Sequence, residues 1–388
     1  MCRNGAFLWV KYVIFATSAN VVCTIVKQSA CTMRCWIPEI FKTDTMKKLR
    51  YMILSLLCGF CMTVAAQSFE GCKWLASIED SRLVSELSLP GAHDAATGEG
   101  LLFVGGFGKT QSLKLAEMWD CGVRAFDLRP AYDDKELRIF HGTIKTKVTF
   151  GKALEILARK IDENPSEFAV VFLREEVEAE KNSGRKLWPS LIGDAIEALG
   201  DKAAAFVPGM TVGDLRGKIL VISRNAYTGT DKGGIVSGWT HDDKGTADAR
   251  ITSYLNGESV RLQLQDYYAP TDDAKRYAKC TAVLNFITLA GKAQKDVWTV
   301  NFLSGYCSTW LGVSPVATTS GYKQNAAALH PILVDLLSKR KVSERASLGI
   351  IFMDFAGADN VKGGISHWSD YKTMGGRLVQ LIVEQNFR

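Results

Sequence analysis

Short apolar runs, each closed by a polar residue or a glycine, recur along the chain from about residue 87 onward. Eight of them read as strands: LSLPGAH (87–93), VRAFDLRP (123–130), LRIFHG (137–142), FAVVFLREE (168–176), GKILVISRN (217–225), VRLQLQD (260–266), VWTVNFLSG (297–305) and LGIIFMDFAG (348–357). Most are unbroken β-branched or large apolar residues, the pattern of strands covered on both faces. Between several of them the period changes to that of a helix. In TFGKALEILARKIDENP (149–165), Leu154, Leu157 and Ile161 share one face, Thr149 is placed to cap the start, and Asn164-Pro165 to stop the run. SLKLAEMWDCG, WPSLIGDAIEALG and NAAALHPILVDLLSKR behave alike. Eight strands with interspersed helices predict an α/β fold, a (β/α)8 barrel of TIM type in one catalytic domain. One link resists. Only about seven residues join FDLRP to LRIFHG, so a hairpin is the default, although such a stretch extended spans about 25 Å and leaves a parallel return open. The barrel is therefore expected to be irregular. The polar segment NAYTGTDKGGIVSGWTHDDKGTADAR (225–250) reads as a loop at its mouth.

The formal charge of +6 changes this picture little, because it is not spread through the chain. Residues 1–66 carry eight Lys/Arg against Glu39 and Asp44, and the remainder holds 39 basic and 39 acidic residues. A body without net charge is not an electrostatic binder of nucleic acid. The basic leader has a readable inner part. Met46-Lys47-Lys48-Leu49-Arg50 is a positive start, YMILSLLCGFCMTV an apolar stretch, and Val64-Ala65-Ala66 a small-residue cleavage site. Residues 46–66 thus read as a secretory signal peptide, with 1–45 an upstream read-through or disordered leader and 67–388 the exported catalytic domain, secreted, periplasmic or on the cell surface. The rival, a membrane span in AFLWVKYVIFATSANVVCTIV, is opposed by Lys11 and Asn20 within it. Six of the ten cysteines lie in this leader; Cys72, Cys121, Cys280 and Cys307 remain, without metal-ligand spacing and with no pairing fixed.

The residues that close the strands carry the candidate chemistry: His93-Asp94, Asp127 and Arg129, His141, Arg174, Arg224, Asp266 and Asp354. Taken singly, each is an ordinary structural polar residue. In a barrel they converge on the C-terminal mouth, where barrel active sites lie. Asp127 and Arg129, two apart on one strand, point to the same side. Two histidines, carboxylates and an arginine suit phosphodiester chemistry. One imidazole takes a proton from an attacking hydroxyl, the other gives one to the leaving oxygen, and a guanidinium steadies the phosphoryl charge.

The segments LSLPGAHDAATG, GVRAFDLRPAYDDKELRIFHG, LRGKILVISR and IIFMDF, in that order and spacing, resemble the bacterial type of the X-domain family of phosphatidylinositol-specific phospholipase C over about residues 74–385. The resemblance implies a distorted (β/α)8 barrel and a phosphatidylinositol diacylglycerol-lyase. In that reaction the inositol 2-hydroxyl attacks phosphorus, giving diacylglycerol and a cyclic inositol phosphate. It further implies His93 as general base oriented by Asp354, His141 as general acid partnered by Asp94, and Arg129 at the phosphate. Arg224 and Asp266 would hold inositol hydroxyls, with Tyr268 as the aromatic beneath the ring. Arg174 stands where relatives commonly have lysine, whose reach differs, and Asp127 is a candidate partner behind the site. His93 and Asp94 are thus expected to serve different halves of the site rather than each other.

Calcium-dependent members resemble this chain except that acidic ligands occupy the second strand and Asn follows the first histidine; here those positions hold Arg129 and Asp94. A guanidinium in place of a ligand predicts a metal-independent enzyme with no cofactor. Ala92 and Ala95 stand where relatives usually have hydroxyl residues. Rival readings are a non-catalytic relative binding a phosphoinositide or glycan, a glycerophosphodiester phosphodiesterase, which begins on a His-Arg pair absent here, and a glycosidase, which needs two carboxylates and no histidine. The expected partner is an inositol phospholipid met by a monomer in transient contact with a membrane surface. Phe103, Phe107 and Trp239 are the apolar candidates for that contact, the alternative being that they pack beneath their loops.

Overall fold

The computed structural model describes residues 69–388 apart from 103–107, 177–182, 240–250, 258, 271–272, 306–318, 344–345 and 364–369. The leader and its expected cleavage site therefore lie outside the described residues, as do Phe103 and Phe107.

The strands in chain order are β1 (Leu89–Ala92), β2 (Ala125–Leu128), β3 (Pro130–Asp133), β4 (Glu136–His141), β5 (Ile144–Thr149), β6 (Ala169–Leu173), β7 (Ala203–Ala204), β8 (Ile219–Ser223), β9 (Gly234–Ser237), β10 (Ile251–Leu255), β11 (Val260–Gln265), β12 (Trp298–Phe302), β13 (Ile350–Met353), β14 (Asn360–Val361) and β15 (Tyr371–Lys372). Nine of them close a barrel, running β1, β2, β6, β8, β9, β10, β11, β12, β13 and back to β1. All neighbours are parallel except β10, which is antiparallel to both β9 and β11. The helices α1 (Leu115–Asp120), α2 (Phe150–Glu163), α3 (Trp188–Glu197), α4 (Val212–Leu215), α5 (Asp273–Ala290), α6 (Thr319–Ser338) and α7 (Gly375–Glu384) accompany the strands. Thr149 caps α2 by accepting from the Lys152 N–H at 3.3 Å.

Two expectations about the strands need correction. LRIFHG is not a barrel strand. The link before it is a tight hairpin, with Asp134 and Lys135 both at positive φ (46° and 72°), and β4 pairs antiparallel with β3 and β5 in a separate three-stranded sheet. Two left-handed residues in a row match the twist of a two-residue hairpin, which left no room for a parallel return. The polar 225–250 segment is also not wholly a loop, since β9 lies inside it and β10 follows it.

The core alternates strictly along the strands. Val170, Phe172, Leu220, Ile222, Leu262, Leu264, Val300, Phe302, Ile350 and Phe352 fill the barrel interior. Their neighbours Val171, Leu173, Val221, Ile351 and Met353 face outward to helix residues such as Leu154, Leu157, Leu333 and Ile382. At the end of the barrel where the strands begin, the fully buried Arg124 bonds Glu167 at 2.7 Å and the carbonyls of Gly71, Trp119 and Val123. That ion pair is satisfied on every side and is structural. Among the described residues no helix is long and apolar enough to cross a membrane.

Candidate active site

The strand alternation determines which side chains enter the mouth. Asp354 lies two residues beyond the inward Phe352, Arg174 two beyond Phe172, Arg224 two beyond Ile222, and Asp266 two beyond Leu264. Asp127 and Arg129 continue the inward series of Ala125, and His93 that of Leu89 and Gly91. Gly91 is required here, because a Cβ would meet the Phe352 ring at 2.7 Å. His141 arrives by another route, at the tip of β4.

His93 Nδ1 is 2.8 Å from Asp354 Oδ1, and the second oxygen of Asp354 accepts from the Gly305 N–H at 3.4 Å. A carboxylate only accepts, so Nδ1 carries the hydrogen and Nε2 has the lone pair. At Nε2 stands Arg129 Nη2, 2.8 Å away. The same guanidinium reaches Asp127 Oδ2 at 3.1 Å, Asp94 Oδ1 at 2.9 Å through Nε, and Glu176 Oε2 at 3.9 Å. Three carboxylates around one buried cation hold Arg129 well above its ordinary pKa, although burial alone would lower it.

His141 is oriented by a neutral group. Its Nδ1 lies 2.6 Å from the Gly108 carbonyl oxygen, so it too carries hydrogen on Nδ1 and presents Nε2 to the site. Asp94 Oδ2 is 3.3 Å from this Nε2 and 3.2 Å from His93 Nε2. Asp354 thus sits against His93 and Asp94 against His141, but Asp94 is equally near to His93. The expectation that His93 and Asp94 serve different halves rather than each other holds only in part, because Asp94 adopts a left-handed conformation (φ 42°, ψ 49°) that leaves its carboxylate between the two imidazoles. Burial would raise the Asp94 pKa; Arg129, then His93, His141 and Arg174, outweigh it and hold the carboxyl down at about 2. For His93, burial acts downward, but Asp94, Asp354 and the Asp354 hydrogen bond raise its pKa above 6.5 despite Arg129.

A second group lies beside this one. Arg224 Nη1 is 3.8 Å from Asp266 Oδ2, the Trp239 indole N–H donates to the same oxygen at 2.9 Å, and the Arg224 guanidinium lies 4.0 Å over the Trp239 ring. Burial pushes the Arg224 pKa down to about 10, with Asp266 opposing, so the group stays cationic at neutral pH. Trp239 also packs edge-on against Phe172 and Phe302. It is thus a half-buried residue packed at the mouth. Arg174 bonds Glu176 at 3.1 Å. Tyr268 is half-buried in the segment that leaves β11 two residues after Asp266.

Several groups in this cluster were not singled out from the sequence. Glu176 lies between Arg129 and Arg174; its spacing of two from Arg174 was the available signal. Gln111 is buried and ties the ends of β1 and β13 together, donating to the carbonyls of His93 and Met353, both at 2.8 Å, and accepting from the Ala356 N–H. Tyr322, on α6, places its hydroxyl 3.3 Å from His141 Nε2. Nothing in the local sequence marks Gln111 or Tyr322.

His93, Asp94 and Asp127 bring ligand atoms within 4.8 Å of one another, a grouping that could in principle hold a metal ion. Arg129 already contacts all three with its nitrogens. The charge a cation would supply is thus present as a guanidinium, and the donor set does not fit a metal while Arg129 is in place.

No family model matches the chain. A 1-phosphatidylinositol phosphodiesterase of Listeria monocytogenes is 24% identical over 302 residues, spanning 76% of this chain and 84% of its own. One from Staphylococcus aureus strain Newman is 25% identical over 295 residues, spanning 73% and 88%. In the solved structures, a phosphatidylinositol-specific phospholipase C from S. aureus matches with a TM-score of 0.63 at 20% identity, covering 80% of this chain and 98% of its own. The L. monocytogenes phospholipase matches at 0.57 and 20% identity, covering 82% and 99%. The chain is similar in sequence to these bacterial phosphodiesterases and in fold to the bacterial phosphatidylinositol-specific phospholipases C. Its barrel is the distorted TIM type of those phospholipases, with β4 displaced into a side sheet and an antiparallel β10 completing the ring. Cys72, Cys121 and Cys280 are unbonded, and Cys307 lies outside the described residues.

Proposed function

We propose that this chain is a metal-independent phosphatidylinositol-specific phospholipase C. The observation that carries the reading is the convergence of two imidazoles, each fixed through Nδ1, on the same carboxylate beside a buried guanidinium. His93 Nε2 takes the proton of the inositol 2-hydroxyl as its oxygen bonds to phosphorus. The phosphorus–oxygen bond to glycerol breaks, and His141 gives its Nε2 proton to the departing diacylglycerol oxygen. Arg129 neutralises charge on the phosphoryl oxygens, which draws its Nη2 away from His93 Nε2 and frees that lone pair for the hydroxyl. Arg224 and Asp266 suit the donors and acceptors of inositol hydroxyls, with Tyr268 and Trp239 as apolar walls. Arg174, bridged by Glu176 to Arg129, adds cationic charge facing the phosphate.

The leader pattern at 46–66 supports export of 67–388, and a lipid substrate requires at least transient contact with a membrane. One S. aureus neighbour is described in terms of its membrane binding, which agrees with that requirement. A body without net charge offers nucleic acid no electrostatic hold, and we take the chain as a monomer. The test is incubation of the purified chain with phosphatidylinositol vesicles, with and without EDTA. Diacylglycerol and cyclic inositol phosphate in equal amounts, unaffected by EDTA, are expected. Release of neither product from any inositol phospholipid would sink the proposal, and loss with EDTA restored by Ca²⁺ would sink its metal-independence.

A further inference from the structure

We propose that Tyr322 is a positioning residue of the acid half of the site, its hydroxyl receiving the His141 Nε2 lone pair once the imidazole has released its proton. This rests on the reaction assigned above. Two polar groups of the described residues stand at Nε2, Asp94 Oδ2 and the Tyr322 hydroxyl, each 3.3 Å away. They are not equivalent. Asp94 is held as a carboxylate and can only accept, so it suits the imidazolium that exists before proton transfer and opposes the lone pair that exists after it. A phenol hydroxyl rotates. It accepts from the N–H of the charged ring and donates to the bare nitrogen of the neutral one.

Of these two groups, Tyr322 therefore matches both states: it holds the ring while Nε2 carries the proton and meets the bare nitrogen once the alcohol has left, so the imidazole stays aligned for delivery. The proton goes from Nε2 to the diacylglycerol oxygen, the electron pair of the breaking phosphorus–oxygen bond goes to that oxygen, and the phenol keeps its own hydrogen. The position of the hydroxyl is well fixed. Its ring packs against Ala326, Phe355, Ala358 and Val361 and lies 5.6 Å from the His141 ring, centroid to centroid.

Tyr322→Phe keeps that packing and removes only the hydroxyl. The full chain is assayed on phosphatidylinositol, whose alkoxide leaving group needs a proton, and on an inositol phosphodiester with a nitrophenolate leaving group, which departs without one. On phosphatidylinositol kcat is expected to fall about three- to tenfold, the worth of one neutral hydrogen bond, with the nitrophenyl substrate unchanged within about twofold. The readout is the ratio of the two rates, which does not depend on how much of the variant is folded. An equal fall on both substrates, or no fall on phosphatidylinositol, overturns the proposal. Failure of the unaltered chain on both substrates would instead overturn the assigned reaction.

Discussion

Replacing Asp354 by asparagine removes one charge from the base half of the site while keeping its shape. Asp354 bridges two donors, His93 Nδ1–H at 2.8 Å and the Gly305 N–H at 3.4 Å. In the Asp354→Asn variant the backbone N–H can be met only by the amide oxygen, which turns the NH2 toward His93. Nδ1 must then accept, and the ring hydrogen moves to Nε2, where it faces the Arg129 Nη2 donor 2.8 Å away. The base is left with no lone pair at the reacting position. Two costs add. The lost hydrogen bond to a charged group is worth about 1.5–3 kcal/mol, and forcing the ring back to its useful tautomer leaves buried donors facing each other, about 1–3 kcal/mol more. The sum is a fall in kcat of about 10²- to 10⁴-fold, the range for removing a general base.

The pH dependence gives the same experiment a second reading. A base works when neutral, so activity of the unaltered chain rises with pH through a His93 pKa that stands above 6.5. Asp354 contributes to that elevation against burial and Arg129, so its replacement moves the acidic limb to lower pH. The assay is release of cyclic inositol phosphate from phosphatidylinositol vesicles across a pH series, with thermal unfolding as the control. A variant within about threefold of the original rate, or one with its acidic limb unmoved or shifted upward, refutes this account of the base.

Gly108→Ala should reach the acid half. Gly108 has φ +73° and an added Cβ would lie 3.1 Å from His141 Nδ1 and 3.0 Å from Ile144, so a fall in kcat of about tenfold is expected, with a lowered unfolding midpoint; unchanged kcat would show that the Gly108 carbonyl does not fix His141. Asp94 predicts an acid-labile contribution to stability, because its pKa falls from 3.8 unfolded to about 2 folded, a difference worth about 2 kcal/mol. A depressed carboxyl stabilises fully above 3.8 and loses that contribution as pH drops toward 2, so urea unfolding of the original chain and of Asp94→Asn should converge over that window; curves that stay parallel would contradict the placement of its charge.

The barrel and most of its mouth could be read from the chain because both follow from a period of two. Once Phe172, Ile222, Leu264 and Phe352 are placed inward, Arg174, Arg224, Asp266 and Asp354 have nowhere else to point. His141 breaks that rule. It is carried by a hairpin outside the ring, and only the left-handed Asp134-Lys135 pair marks the turn. The antiparallel β9–β10 pair was hidden for a related reason: Gly234–Ser237 is short, bounded by Gly233 and Gly238, and gains its apolar surroundings only from the finished barrel. Gln111 and Tyr322 act through side-chain hydrogen bonds that span long sequence separations, and no local pattern reports such contacts.

The difference between the two histidines lies in what holds Nδ1. For His93 it is a carboxylate, so the positive charge that builds on the ring as it takes a proton is met by the partner that orients it. For His141 it is the neutral Gly108 carbonyl, which fixes the ring without adding charge behind it. Asp94 faces both Nε2 atoms at nearly equal distance, and neither of its buried oxygens has an aligned hydrogen bond among the described residues. It therefore faces both rings without choosing between them, and the groups behind set them apart. Arg129 completes the asymmetry, since its Nη2 lies 2.8 Å from His93 Nε2 and opposes the carboxylates that raise the His93 pKa. In the proposed reaction, a phosphate that draws the guanidinium away leaves the His93 Nε2 lone pair open to the hydroxyl it must deprotonate.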